Sequence, residues 1–195
     1  YKEAMTPDLV PDSLLVIGSG AIGIEFASFF NTFGSKVTVV EMLSNILPAE
    51  DEEISSFAKG EFEKQGIDIM TSSQVLNFLK HNDKVTATIN YNGESIKKEF
   101  DRVIVAVGVV GNTEELGLEG TKVKVSDKGY IQTNKWGCTD EPHVYAIGDV
   151  AGPPWLAHKA SHEGIVCVEN ISGNEPHSIN KENIPGCTYC HPQIA

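Results

Sequence analysis

Gly18, Gly20 and Gly23 stand at the spacing G-x-G-x-x-G, and a single acid, Glu41, closes a β-branched run further on. Residues of these types can together hold two phosphates and a ribose. The apolar run Leu14–Ile17 ends in Gly18-Ser19-Gly20-Ala21-Ile22-Gly23-Ile24-Glu25. Gly18 suits a tight turn out of a strand, Gly20 lets the backbone approach a pyrophosphate with no Cβ between them, and Gly23 lets the next helix lie close on the strand. The first N–H groups of that helix have no intrahelical acceptor and face the phosphates. A carboxylate at Glu41 accepts hydrogen bonds from ribose hydroxyls and repels a 2′-phosphate. The only arginine, Arg102, is distant from it in sequence, so the pattern favours NAD over NADP.

Such a turn must be positioned by a strand on either side of a helix. Ile22, Phe26, Phe29, Phe30 and Phe33 recur at helical spacing and predict a helix with that face buried, stopped by Gly34 and followed by the strand Val37–Val40. Glu50, Asp51, Glu52 and Glu53 suit the start of a second helix, with Ile54, Phe57, Ala58 and Phe62 as its buried face and Gly66 as its end before the strand Ile67–Met70. Val75–Lys80, Val85–Tyr91 and Ser95–Phe100 predict a β-meander, with Asn92-Gly93 as a type I′ turn. The meander takes the place of a crossover helix and delivers Arg102–Val107, a run suited to a buried parallel strand, to Gly108.

Val144–Ile147 repeats that pattern and ends in Gly148-Asp149. Ligands of open α/β sheets lie beyond the carboxyl ends of the strands, so both glycines are candidate points of approach to a nucleotide. Val123–Val125 and Tyr130-Ile131 predict a small hairpin, Trp155–Ile171 a helix, and residues 178–195 carry no clear periodicity. The fold class is α/β and Rossmann-like, a parallel sheet with a three-stranded meander as crossover.

The chain has 195 residues and a formal net charge of −12, which argues against nucleic acid or an anionic membrane as partner. Its longest apolar runs fall short of the roughly 20 residues that span a bilayer, and no signal peptide is visible. Four unevenly spaced cysteines fit a reducing, cytoplasmic compartment better than a disulfide scaffold. Starting at Tyr1 and ending at Ala195, the sequence reads as a segment of a longer polypeptide.

The order of motifs resembles the pyridine nucleotide-disulfide oxidoreductases. The likeness is carried by VIGSGAIGIE, KVTVVEMLSNILPAEDEEI, the meander, VIVAVGVVGNTEELGLE, VYAIGDVAGPPWLAHKASHEG and IPGCTYCHPQIA. It implies an FAD/NAD(P)-binding fold with residues 1–110 as NAD-binding domain, 111–180 as the central part of the FAD-binding domain and 181–195 as the start of a dimerisation domain. It further implies that Gly18, Ser19, Gly20, Ala21, Ile22, Gly23, Ile24 and Glu25 bind NAD with Glu41, that Val75 lies near the adenine, and that Gly108 lies near the nicotinamide half. Asp149 is implied as a partner of the FAD ribityl chain, and Trp155, Leu156, Ala157 and His158 as contacts of the isoalloxazine. Many relatives have Arg-Arg-Pro where this chain has Val109-Val110-Gly111, and often Met in place of Trp155. Taken without the resemblance, Glu25 is a helix-stabilising acid, Asp149 a loop acid and His158 a surface histidine.

The resemblance leans towards members that reoxidise dihydrolipoamide on the lipoyl domains of 2-oxo acid dehydrogenase complexes and act as homodimers. Their chemistry uses a Cys-x-x-x-x-Cys disulfide and a His-x-x-x-x-Glu base from the partner subunit, both expected outside this chain. No two cysteines here have that spacing, and no second G-x-G-x-x-G provides for the ADP half of FAD, so no catalytic residue and no metal ligand is assigned. Other reductases of the family, and a non-catalytic NAD-sensing module, remain as alternatives. Cys187-Thr188-Tyr189-Cys190-His191 formally fits haem attachment or a dithiol, although small buried residues suit it better. A short-chain dehydrogenase would need Tyr-x-x-x-Lys, which none of the five tyrosines provides.

Overall fold

Leu14 and Val16 point to one side of their strand, and Leu15 and Ile17 to the other. Both sides are apolar because the strand is covered on both faces, as parallel strands are. In the computed structural model, which describes residues 2–195, a one-turn α1 (Lys2–Met5) precedes β1 (Ser13–Ile17), α2 (Ala21–Thr32), β2 (Lys36–Val40), α3 (Glu52–Lys64) and β3 (Asp68–Met70). The chain continues through β4 (Gln74–His81), β5 (Lys84–Tyr91) and β6 (Glu94–Phe100) into β7 (Arg102–Val105). A parallel sheet runs in the order β3-β2-β1-β7, and a separate antiparallel sheet in the order β4-β5-β6. Ile17 is level with Val40 on one side and Val105 on the other, so the strand ends open onto one edge of the sheet.

Leu14, Val16, Val37 and Val39 pack with Ile24, Ala27 and Phe30 of α2 and with Ala58 and Phe62 of α3. On the opposite face Leu15, Val40 and Met70 pack with Ala87, Ile89 and Phe100 of the meander. Leu15 is 0% exposed, and truncating such a side chain to alanine costs about 2–5 kcal/mol. Asp51 caps α3 by accepting the Glu53 N–H at 2.9 Å, and the Ile67 N–H closes the other end on Phe62 O at 3.1 Å.

The predicted helix faces need correction. On α2 the buried residues are Gly23, Ile24, Ala27, Ser28 and Phe30, whereas Ile22, Phe29 and Phe33 are exposed. Small residues turn towards the sheet because they let the helix come close, and a tally of large apolar side chains passes over them. On α3 Ser55, Ala58 and Phe62 are buried and Ile54 and Phe57 are exposed. β7 is an edge strand of the described sheet, half-buried rather than enclosed, with Val105 61% exposed.

Contacts divide the chain into Tyr1–Val107 with Cys187–Ala195, and Gly108–Gly186. The final segment therefore clusters with the first unit, where Ile194 enters the core and Thr188 pairs with it. In the second unit Val125 and Ile131 make the predicted hairpin contact, and α4 spans Ala157–Ile171. The strand predicted at Val144–Ile147 reduces to one bridge, between Tyr145 and Cys138, and Gly148–Ala151 is a single 3-10 turn. A strand requires a hydrogen-bonding neighbour, and among the described residues this run finds only that one.

Candidate functional site

β1 delivers the chain to Gly18, whose φ of 93° is open to glycine, and the Gly18 N–H donates to Val40 O at 2.9 Å. A Cβ on Gly18 would collide with Ala106 O, and one on Gly23 with Gly18 O. These two glycines are thus required by the protein's own packing. Gly20 differs. Its φ of −65° suits any residue, and a Cβ there would meet no protein atom within 4 Å. Gly20 is the N-cap of α2, where glycine is favoured in its own right, and it also leaves room for a ligand's close approach at the start of the helix. The first bond of that helix is Ile24 N–H to Gly20 O, so the amides of Ala21, Ile22 and Gly23 precede the ladder, and no side chain caps them.

Glu41 follows β2 and is only 8% exposed. Its backbone is fixed by Glu41 N–H to Met70 O and Ser73 N–H to Glu41 O, at 2.9 and 2.8 Å. Its carboxylate accepts the Ser19 N–H at 2.9 Å and the Ser19 hydroxyl at 2.7 Å on Oε2, and the Leu43 N–H at 2.8 Å on Oε1. The Leu47 N–H donates to Ser19 O at 2.9 Å and brings the loop after Glu41 over the glycine turn. Ser19 and Glu41 are thereby brought together across 22 residues. Val75 is partly buried against Leu15 and Val40. Arg102, the only arginine, donates to Asp83 O and Asp101 O.

Glu25 accepts the Tyr189 N–H at 2.8 Å, and the His191 N–H donates to Ser28 Oγ at 3.2 Å, so the last segment lies along α2. Burial, followed by the neighbouring Glu25 carboxylate and Cys187, pushes the Cys190 thiol up to about 11. A thiol held protonated in this way is the opposite of an attacking dithiol cysteine.

Gly108 opens the second unit with φ 148°, and Asp149 lies in the 3-10 turn Gly148–Ala151. Trp155 and Leu156 precede α4, whose first turn has no side-chain cap. The Trp155 ring lies 6.2 Å from that of Tyr130, and the Tyr130 hydroxyl donates to Val109 O. His158 is exposed and its Nε2 lies 2.9 Å from Pro185 O.

Two features were passed over in the sequence. The His-x-x-x-x-Glu spacing expected only outside the chain occurs twice within it, at His158/Glu163 and His177/Glu182. Glu163 faces Lys159 and the Gly148 N–H, so the first pair does not work as a unit. The second feature is Lys159 itself, which is 1% exposed. The i,i+4 spacing to Glu163 was its only signal. Among the described residues no cluster of three or more His, Cys, Asp or Glu could hold a metal ion, and no helix is long and apolar enough to cross a membrane.

The chain is similar to known proteins over nearly its whole length. The chain is 50% identical over 197 residues to a dihydrolipoyl dehydrogenase of Rhizobium etli, covering 100% of this chain and 41% of the relative. For a dihydrolipoyl dehydrogenase of Zymomonas mobilis the identity is 49%, covering 100% of this chain and 42% of the relative. The chain thus spans about two fifths of the length of these relatives. Among solved structures, the HOCl-induced flavoprotein disulfide reductase RclA of Escherichia coli superposes with a TM-score of 0.86 at 26% identity, over 97% of this chain and 43% of that one. LpdA of Mycobacterium tuberculosis gives 0.85 at 25% identity, over 95% and 40%. The model of the pyridine nucleotide-disulphide oxidoreductases matches residues 2–164, passing from the first unit well into the second, and the chain belongs to that family.

Proposed function

We propose that this chain is the NAD-binding part of a flavoprotein disulfide oxidoreductase of the dihydrolipoyl dehydrogenase type, with Gly108 near the nicotinamide half and residues 111–180 contributing to the flavin side. The observation that carries the reading is the Ser19–Glu41 pair at the head of the glycine turn. Gly20 leaves the phosphates room, the opening amides of α2 meet their charge, and Glu41 offers its remaining acceptor site to a ribose hydroxyl. A 2′-phosphate would bring negative charge onto a carboxylate, and Arg102 is engaged with the carbonyls of Asp83 and Asp101, which supports NAD over NADP.

The uncapped start of α4 and the Tyr130–Trp155 ring pair support a flavin contact beside Asp149. Bound FAD would supply the two-electron relay between thiols and nicotinamide. Asp149 would orient it through a ribityl hydroxyl, and Glu25 would border the nicotinamide. In the whole protein the substrate is dihydrolipoamide carried on lipoyl domains of 2-oxo acid dehydrogenase complexes, the assembly is a homodimer, and the compartment is the cytoplasm, which suits four free thiols.

Calorimetric titration of this chain with NADH and NADPH tests the NAD reading, and equal affinities would overturn it. In the full-length flavoprotein, Asp149→Ala should lower FAD retention at least tenfold. Unaltered retention would remove Asp149 from the flavin site.

A further inference from the structure

Lys159 is a buried charge for which the nucleotide reading has no use. It lies in the first turn of α4, where the helix dipole opposes a cation, and burial deprives it of water. Three acceptors offset these costs. Lys159 Nζ donates to Gly148 O at 3.0 Å and to Gly152 O at 2.8 Å, and lies 3.2 Å from Glu163 Oε2. An ammonium has three donors, and each is used. Glu163 Oε2 also accepts the Gly148 N–H at 2.7 Å.

One lysine therefore holds the carbonyls at both ends of the segment Gly148–Gly152, and its partner holds the amide at the first end. Those ends are the places most in need of restraint. Gly148 has φ 71° and Gly152 φ 97°, conformations that glycine leaves easily in the absence of an outside tie. Between them Gly152 N–H donates to Asp149 O at 3.0 Å, and Ile131 N–H to Val150 O at 2.8 Å. An apolar pair on α4 could pack as well, but it could not bind three backbone groups of one loop.

We infer that Lys159 and Glu163 are positioning residues, a buried latch that ties the Gly148–Gly152 segment to α4 and so fixes the backbone carrying Asp149. Its consequence for cofactor binding rests on the flavin-side reading of Asp149 given above. The latch itself is a property of this chain without any ligand.

Amide hydrogen exchange followed residue by residue by NMR on the purified 195-residue chain tests it. Lys159→Met should speed exchange at the Gly152 and Ile131 amides by about tenfold or more, although neither amide touches Lys159, while the Ser19 amide of the other unit is unchanged. Glu163→Leu should deprotect Gly148 to a similar degree. Glu163→Gln, which keeps an acceptor oxygen, should restore Gly148 to within about threefold of the parent. Parent-like exchange at Gly152 and Ile131 in Lys159→Met overturns the latch. If Lys159→Met unfolds the second unit, Glu163→Leu and Glu163→Gln are compared instead, and equal protection of Gly148 in the two overturns it. Because no flavin is present, failure here leaves the Asp149→Ala test standing, and failure of that test leaves the latch standing.

Discussion

Ser19 saturates one oxygen of Glu41, its N–H and its hydroxyl both donating to Oε2 at 2.9 and 2.7 Å. With Leu43 N–H on Oε1, three of the roughly four acceptor directions of the carboxylate are in use. A ribose hydroxyl can take the fourth without displacing Ser19. A 2′-phosphate offers no proton to it and adds like charge. NADH is therefore expected to bind this chain more tightly than NADPH, by about 3 kcal/mol or more, and Glu41→Ala to narrow the gap. Calorimetry with both nucleotides on both proteins decides the matter.

The same pair is a stability element, because Ser19 is 0% exposed. Ser19→Ala keeps the backbone donor but removes the hydroxyl, leaving Oε2 with one bond in a buried site. A loss of about 1–3 kcal/mol is expected, read from urea unfolding at neutral pH. A change within about 0.5 kcal/mol would mean that the hydroxyl is replaceable by water.

Asn92 and Gly93 join β5 to β6 with φ 52° and 82°, both positive as a type I′ turn requires, and Tyr91 faces Glu94 directly across it. A β-branched residue is strained at this backbone. Gly93→Val should cost about 1–2 kcal/mol and lower the melting temperature, with NADH affinity retained. An unchanged melting temperature would show that the turn relaxes into another type.

What was legible and what was not follow from the same physics. The glycine turn and the Asn92-Gly93 hairpin were legible because backbone conformation or close approach dictates residue type there. Gly18 and Gly23 are each excluded from bearing a Cβ by a carbonyl oxygen. The buried face of α2 was misread because Gly23 and Ala27 dock the helix by being small, while Phe29 and Phe33 pack on each other at a tilt, with centroids 4.8 Å apart, and remain exposed. Lys159 was missed because two of its three acceptors are backbone carbonyls, which leave no trace in residue type, and the i,i+4 spacing to Glu163 reads equally as an exposed helix pair.

Asp101 accepts both the Ser13 N–H and its hydroxyl on Oδ2 and pairs with Lys84 at 3.3 Å, joining the start of β1 to the chain between β6 and β7. These Ser13 bonds, ahead of the Lys84 charge, hold its carboxyl below the ordinary aspartate value. A depressed folded value means that the contribution is complete above the unfolded aspartate pKa, about 3.9, and is lost as pH falls through the lower folded value. Asp101→Asn should therefore be less stable than the parent by a constant amount between about pH 5 and 8, and the difference should shrink below about pH 4. A difference that persists undiminished at the acid end would assign the effect to shape rather than charge.

The chain alone should bind NAD but neither retain FAD nor oxidise dihydrolipoamide. The proposed NAD contacts from Gly18 to Val75 lie in one unit, whose strand order, glycine turn and acid after β2 all form within the segment. The flavin side is divided. On the proposed reading Asp149 and the start of α4 would meet only a ribityl chain and a ring, and the sequence has no second G-x-G-x-x-G to receive the ADP half of FAD. Omitting an anion-binding helix start and much of the buried ligand surface removes many kcal/mol from an affinity in which each 1.4 kcal/mol is about tenfold. Turnover fails for a separate reason, because no two cysteines stand at Cys-x-x-x-x-Cys spacing, and the Cys190 thiol, pushed up to about 11, is a poor nucleophile at neutral pH. Purified chain should be colourless, bind NADH by fluorescence, and show no NAD-dependent oxidation of dihydrolipoamide. A yellow preparation that keeps its flavin through gel filtration, or any such turnover, would show that the segment carries more of the enzyme than its residues account for.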